Sequence, residues 1–495
     1  MADDNTTQDS TNDTKNAKGA NGARNAKDDG VPNDELDAKI DSLTDAALKN
    51  AVRVFCGNLT SEYAAYLNSC VHCGLCAESC HYYLADRELE STPAYKVGLV
   101  ASVFKKQFGV AGRVLPAWGG AKDLDREMVR EWVDALFGRC SLCGRCTMNC
   151  SVGLNTTYLI RAARGALASL DLIPDGLKST VETSIRKGNS MGISREDWVE
   201  TVEWLESELQ AEVKNPAAKL PLDKKGAELL YTVNPREPKF FPLSIVAAAK
   251  IFYAAGEDWT FSSDNYDVTN YGLYTGEDDV AGSISDRLVQ SMEKLGCKTL
   301  VLAECGHGFN SNRWEAPEWL RKKYGFEVRS ILEVVADYIK DERIKLDPSR
   351  NPEPLTLHDP CNLVRLGGII EEQRYILKRA ALNFVEMIPN RQDNYCCGGG
   401  GGQLAMTRFS QRRLRAGKIK ADQIGRTGAK TVVAPCHNCV DQLTELNKHY
   451  KLGVNVKTVC EVVASALVIG KVTPQWSRSP ASVSPAGSAP SRPKS

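Results

Sequence analysis

The sequence predicts an α + α/β chain, a helical domain over residues 35–214 followed by a duplicated α/β domain over 227–470. Three observations carry this. Two cysteine runs, Cys70 to Cys80 and Cys140 to Cys150, are set among stretches whose apolar residues recur at helical spacing. From Ala227 onward, short β-branched runs alternate with helical patterns, as strands do when helices cover their sheet. The second half also repeats itself, so that one unit of strands and helices is written twice.

Composition narrows the class. With 42% hydrophobic and 25% charged residues the chain should fold around ordinary cores, and 62 basic against 62 acidic residues give no reason to expect nucleic acid or an anionic lipid surface as partner. Residues 1–34 are nearly free of large apolar side chains, and the stretch 473–495 is mostly Pro, Ser, Ala, Arg and Lys; both are expected to be disordered tails. The start Met1-Ala2-Asp3-Asp4-Asn5 shows neither a basic n-region nor an apolar h-region, so the 17 cysteines point to metal thiolates in a reducing compartment instead of disulfides. The longest apolar run, Pro242 to Gly256, is broken by Lys250 and falls short of the roughly 20 residues that span a bilayer. Membrane association is therefore expected only through a partner.

In chain order, a helix is expected from Asp34, where Leu36, Ile40, Leu43, Ala47 and Val52 share a face and Cys56 closes it. Next come Cys70-x2-Cys73-x2-Cys76-x3-Cys80 and Cys140-x2-Cys143-x2-Cys146-x3-Cys150, the spacing of bacterial ferredoxins twice over. Close steps set three thiolates round one corner of a [4Fe-4S] cubane, while the fourth cysteine points to the other cluster. The expected ligand sets are crossed: Cys70, Cys73, Cys76 and Cys150 for one, Cys140, Cys143, Cys146 and Cys80 for the other. Zinc needs four ligands, not eight at a repeated spacing, and the solitary His72 adds nothing to it. His81 and Ser151 stand where the common motif has proline, which alters the path out of each run and spares the ligands. Helices are expected at Pro93 to Phe108, Leu124 to Phe137, Thr156 to Leu170 and Ser194 to Val213, with a linker over Asn215 to Lys225.

The α/β copies span about 227–345 and 354–470. Gly296 to Cys305 matches Gly428 to Cys436 with one gap, and Leu332-Glu333-Val334-Val335-Ala336 matches Cys460-Glu461-Val462-Val463-Ala464. Asn270 to Leu273 lines up with Asn394 to Cys397, and Asn234-Pro235-Arg236 with Asp359-Pro360-Cys361. The second copy holds five cysteines: Cys361, the pair Cys396-Cys397 ahead of Gly398 to Gly402, and Cys436-x-x-Cys439. The first has Arg236, Gly272, Leu273 and Gly308 in place of four of them and keeps Cys305 alone, so one metal site is expected here. Cys361 and Cys436 each follow a strand, at the sheet edge where open α/β folds bind ligands, and the glycines let backbone amides approach an anionic centre. Five thiolates are one more than a cubane takes.

Asp-Pro-Cys, Cys-Cys-Gly-Gly-Gly-Gly-Gly and Cys-x-x-Cys together resemble the cysteine-rich CCG domain of heterodisulfide reductase, and the preceding runs resemble its iron-sulfur subunit. Over about residues 60–465 the order is similar to the catalytic iron-sulfur subunit of membrane-bound heterodisulfide reductase and to the DsrK-like, HmcF-like and TmcB-like proteins. That resemblance implies a helical ferredoxin domain with two [4Fe-4S] cubane clusters and a duplicated CCG domain. It implies a noncubane-type [4Fe-4S] cluster on Cys361, Cys396, Cys397, Cys436 and Cys439 that acts on a disulfide. It further implies a membrane b-type cytochrome or quinol-oxidising subunit as partner, with the chain peripheral on the inner face of the cell membrane. A single CCG motif favours the DsrK-like branch, whose substrate is a disulfide or trisulfide on a small sulfur-carrier protein. The alternative is the iron-sulfur subunit of a glycolate- or lactate-type dehydrogenase, relaying electrons from a flavin to quinone.

Four cysteines fall outside these sets. Cys460 matches Leu332 and reads as a small core residue, Cys297 as incidental, and Cys56 has no assigned role. Pseudo-symmetry sets Cys305 across from Cys436, where it is either a relic of the lost cluster or, with His307, part of the substrate approach, His307 donating a proton to the leaving thiolate. His437 is expected to donate to cluster sulfur or lie exposed; His358 and Arg365 flank Cys361, with Arg365 in a salt bridge or beside the anionic centre.

Overall fold

Two parallel four-stranded sheets with one and the same strand order organise the second half of the chain. The computed structural model describes residues 34–109, 114 and 119–469. The two tails expected to be disordered lie outside these residues, apart from Asp34, which opens a helix. The first sheet contains β1 (Leu229–Tyr231), β2 (Trp259–Thr260), β3 (Thr299–Leu302) and β4 (Glu327–Ser330) in the order β2-β1-β3-β4. The second contains β5 (Leu355–Leu357), β6 (Phe384–Val385), β7 (Thr431–Val433) and β8 (Asn455–Lys457) in the order β6-β5-β7-β8. Parallel neighbours require crossovers, and helices such as Pro242–Ala255 and Asp278–Leu295 supply them. In the second sheet the order reverses between β5 and β7, which opens a crevice at their carboxyl ends. Cys361 and Cys436 come off those two strands.

The first half is helical. Asp45–Gly57, Pro93–Phe108 and Thr156–Ala168 start where Thr44, Thr92 and Asn155 accept backbone amides from Ala47, Tyr95 and Tyr158, so each opening turn is capped by its own sequence. Their apolar faces meet around Phe55, Val100, Trp132, Leu159 and Leu167. The stretch expected as one helix over Leu124 to Phe137 divides: Arg126–Trp132 is α-helical, and Val133–Gly138 widens into a π-turn just before the second cysteine run.

Helix Arg195–Val213, capped by Ser194, turns Trp198, Val202, Leu205 and Leu209 into the core of the α/β half. The segment after it, expected as a linker, lies along edge strand β2: Asp223 N–H donates to Phe261 O at 2.9 Å, and Ala218 and Leu220 are buried. Pro216 and Pro221 keep it irregular because neither has an N–H to pair. The two sheets share one core, and Glu304 braces them, accepting Val459 N–H at 2.8 Å and Cys460 N–H at 3.1 Å on its carboxylate. Among the described residues, no helix is long and apolar enough to cross a membrane.

Candidate metal centre

Both cysteine runs coil in the same way. The second and fourth residues after the leading cysteine are left-handed in each, His72 (φ 54°) and Gly74 (82°) in the first, Leu142 (51°) and Gly144 (74°) in the second. This turns successive thiols inward and puts His72 at a backbone turn. Burial pushes the Cys76 thiol up, and Cys70, Cys150 and Cys73 close by push the same way. Burial likewise pushes up Cys146, whose neighbours are Cys143, Cys80 and Cys140. The last residue of each run is thus among the thiols of the other. Cys80, Cys140, Cys143 and Cys146 wall one cavity, together with Tyr82, whose buried hydroxyl has no partner among the described residues. Cys73, by contrast, is exposed.

The second-copy cysteines are all buried and form a continuous chain of thiol contacts: Cys361 to Cys396, Cys396 to Cys397, Cys397 to Cys439 and Cys439 to Cys436. Thiol hydrogen bonds from Cys143 and Cys361 draw Cys396 down to about 7; Cys439 does the same for Cys436, and bonds from Cys396 and Cys439 hold Cys397 below its ordinary value. Gly398 N–H donates to Cys396 Sγ at 3.3 Å.

The two groups of cysteines touch. Cys143 is in hydrogen-bond contact with Cys396, and Cys143, Cys361 and Cys396 pack as one buried cluster. Ser141 Oγ donates to Cys396 Sγ at 3.5 Å. Gly401 (φ 65°) permits this approach, since a Cβ there would lie 2.5 Å from Ser141 carbonyl carbon. Two arginines hold the contact shut. Arg365 donates to Cys143 O at 2.6 Å, to Gln392 O at 2.7 Å and to Asn394 O. Arg164, fully buried, donates to Leu136 O, Cys140 O, Tyr274 O and Gly401 O, so one guanidinium joins the run, the first copy and the glycine loop.

Sequence reasoning missed Arg164, although a signal existed: it stands four residues after Ile160 and three before Leu167, in register with the apolar stripe, where a cation is out of place unless bonded. Arg365 was singled out, but its partners are backbone carbonyls and no carboxylate is among them.

The unit around the first sheet, expected to be an eroded copy, is packed shut at the matching positions. A Cβ on Gly308 would lie 2.3 Å from Val268 O, and one on Gly272 2.9 Å from Ala281 Cα, so neither position has room for a cysteine. Arg236 pairs with Asp441 instead. Cys305 lies beside Cys436 and is fully buried, its Sγ 3.4 Å from His307 Nδ1. Burial lowers His307 to about 3, so the imidazole is neutral near pH 7 and has no cationic proton to give. Neither residue lines the cleft of about 480 Å³ that runs between the helical half and the first copy. Tyr274, Asn362, Leu142, Arg365 and Asn310 do. Asn362 Nδ2 donates to Tyr274 hydroxyl at 3.3 Å and reaches Cys361 Sγ at 3.8 Å, so the cleft ends one side chain from the five cysteines. His437 is buried, 3.6 Å from Glu237, which raises it against the lowering effect of burial.

Buried thiols at mutual contact distance with no disulfide, and a thiol-walled cavity, suit iron-sulfur clusters. The comparisons agree on the class. The family model described as a 4Fe-4S dicluster domain matches residues 66–154, and the one described as a cysteine-rich domain matches residues 355–444. The chain is an iron-sulfur protein that joins these two domains, as the heterodisulfide reductase-like iron-sulfur proteins do.

It is 27% identical over 453 residues to the Hdr-like menaquinol oxidoreductase iron-sulfur subunit of Archaeoglobus profundus, covering 82% of this chain and 80% of that one. It is 26% identical over 415 residues to a subunit of the dihydromethanophenazine:CoB–CoM heterodisulfide reductase of Methanosarcina barkeri, covering 83% and 96%. A more distant relative, the EtfAB:quinone oxidoreductase of Syntrophomonas wolfei, is 21% identical over 411 residues, covering 77% and 55%. The chain is thus related to the iron-sulfur subunits of Hdr-like menaquinol oxidoreductases.

Proposed function

We propose that this chain is the disulfide-converting subunit of a membrane-associated respiratory complex, a helical ferredoxin domain followed by a duplicated CCG domain of which only the second copy is active. Cys70, Cys73, Cys76 and Cys150 would hold one [4Fe-4S] cubane, Cys140, Cys143, Cys146 and Cys80 a second, and Cys361, Cys396, Cys397, Cys436 and Cys439 a noncubane-type cluster. Bound there, the clusters supply one-electron carriage and, at the five-cysteine site, a centre able to bond substrate sulfur. The observation that carries the reading is the buried contact of Cys143 with Cys396 and Cys361, which leaves no protein layer between the second run and the five cysteines.

Electrons enter at the exposed Cys73 end, where Val71, Leu75, Met148 and Val152 offer an apolar rim to a quinol-oxidising or b-type cytochrome subunit. The substrate, a disulfide or trisulfide on a small sulfur-carrier protein, approaches through the cleft. Cleavage of one S–S bond takes two electrons and two protons, yielding two thiols from a disulfide or a thiol and a persulfide from a trisulfide. Tyr274 accepts a hydrogen bond from Asn362, which leaves its own proton turned to the entering sulfur; Cys305 and His307 stand behind it, His307 packed 5.3 Å from the Tyr274 ring. Arg365 keeps the run docked while charge moves.

The test is electron paramagnetic resonance of anaerobically purified, oxidised protein with and without a thiol. A paramagnetic signal in the oxidised state that the thiol alters supports the reading. Signals that arise only on reduction and ignore thiols leave a relay, as in a glycolate- or lactate-type dehydrogenase.

A further inference from the structure

Two buried nitrogen groups beside the five cysteines have no role in the reading above. His358 lies between β5 and the Asp359-Pro360-Cys361 turn; it is 1% exposed, and neither ring nitrogen has a hydrogen-bond partner among the described residues. A ring nitrogen of His358, Cys397 Sγ and Cys439 Sγ lie within 4.8 Å of one another. Lys420 is fully buried on helix Lys418–Thr427. Its ammonium donates to the Asn394 side-chain oxygen and reaches Met387 Sδ at 3.7 Å, two neutral partners. The carboxylate in its field, Asp359, is already engaged: Arg374 holds both its oxygens at 2.7 Å and Arg391 N–H donates to one at 2.7 Å. The other acidic groups around it are the thiols of Cys397, Cys396 and Cys439.

An imidazole with both nitrogens orphaned, and an ammonium with no carboxylate of its own, are costly in a dry interior unless something anionic stands between them. A water molecule needs two to four polar partners, and thiols are poor ones. Iron is already served by five thiolates, so a nitrogen ligand is not required, whereas cluster sulfur accepts N–H bonds and its electron density answers to them.

We propose that His358 and Lys420 complete the five-cysteine centre: the His358 ring N–H would donate to sulfur of the centre that Cys397 and Cys439 help to hold, and Lys420 would supply the positive charge that offsets its thiolates. This rests on the reading that those cysteines hold a cluster. Donors and positive charge favour the reduced state, so the pair raises the potential of this centre and makes it the point to which electrons run. The remaining His358 nitrogen is a lone pair, and no proton transfer is assigned to it.

The experiment uses the full-length protein, purified anaerobically, with iron counted for every variant. Labelling with ¹⁵N-histidine should give the thiol-responsive signal a weak nitrogen coupling in pulsed resonance spectra, absent from His358→Leu and retained as an unlabelled ¹⁴N coupling in His358→Gln. The strong coupling of a bonded imidazole, or none at all, overturns the assignment. In redox titrations His358→Leu and Lys420→Met should each shift that signal to lower potential and leave both cubane signals in place; unmoved potentials overturn it. Should the Leu and Met variants lose the centre, His358→Gln and Lys420→Arg keep a donor and should keep the iron, and equal loss in all four would reduce the two residues to packing. Wild-type protein with no third signal would instead sink the reading of the five cysteines.

Discussion

Replacing Arg164 with leucine should loosen the contact on which electron transfer between the cysteine groups depends. The guanidinium lies under full burial and bonds four carbonyls, Leu136 O at 2.7 Å, Cys140 O at 2.8 Å, Tyr274 O at 2.9 Å and Gly401 O at 2.9 Å, with Phe137 4.5 Å from its carbon. A buried acceptor stripped of its donor costs about 1–3 kcal/mol; Cys140 O keeps Gln403 Nε2 at 3.3 Å, so the other three cost about 3 kcal/mol at the low end. Against this, burial already lowers Arg164 from 12.5 to about 10, and removing the cation relieves roughly 3 kcal/mol at 1.36 kcal/mol per unit. Low-end bond losses would then nearly cancel. Mid-range losses of about 2 kcal/mol at each of the three leave a net deficit on the order of 3 kcal/mol, a sizeable part of a typical folding stability of about 5–15 kcal/mol.

Arg164→Lys should fall between, since an ammonium has three donors for four carbonyls and no planar fork. Denaturant unfolding under anaerobic conditions, with iron counted per chain, reads the stability. Reduction of the thiol-responsive centre through the cubanes reads the docking. A leucine variant with a wild-type midpoint and wild-type reduction rate would refute the argument, because it would mean that the four carbonyls are satisfied without the arginine.

Other expectations are narrower. Cys150→Ser should abolish the cubane signal that Cys70→Ser abolishes, and Cys80→Ser the one that Cys140→Ser abolishes; the uncrossed pairing in spectra of the four variants would refute the ligand sets. Gly308→Ala should destabilise by about 1–3 kcal/mol, because the new Cβ meets Val268 O at 2.3 Å, and Gly308→Cys should bind no additional iron. Asp267, whose carboxylate accepts Ser190 N–H at 2.8 Å and Thr269 N–H at 2.6 Å, is raised from 3.8 to about 6 by burial. Its folded state holds the proton more tightly than the unfolded chain does, so its contribution to stability is full below pH 4 and falls as pH rises to 6. The change is on the order of 3 kcal/mol. Asp267→Asn should therefore gain on the wild type across that window in pH-dependent unfolding, and a constant difference would refute it. Cys305→Ser and His307→Ala should retain their clusters and most of their turnover, since Tyr274 lines the cleft and they do not; a collapse of turnover with the clusters intact would put them in the substrate path.

What could be read from the chain divides along a physical line. Thiol spacing is a local property: steps of two and three residues set the reach of successive Sγ atoms whatever surrounds them, so the cysteine runs and the Cys-x-x-Cys were visible before any fold. Strand ends were nearly as plain, because β-branched runs of three or four residues close before Cys305, Cys361 and Cys436. Helix Arg195–Val213 had the right period, but a period does not say which core its stripe will enter, and Trp198 to Leu209 turn toward the sheets. The contact of Cys143 with Cys396 spans 253 positions and is held in part by Arg164 and Arg365, which bond carbonyls that every residue carries and no sequence marks. For the same reason the proposed proton donor is Tyr274 and not His307: a histidine two residues from a cysteine looks reactive by spacing alone. Burial that lowers it to about 3 is a property of the tyrosines packed over it, Tyr271 at 5.0 Å and Tyr274 at 5.3 Å. The chain thus announces the atoms that bind metal, while the groups that dock, gate and tune them become visible only when their neighbours are in place.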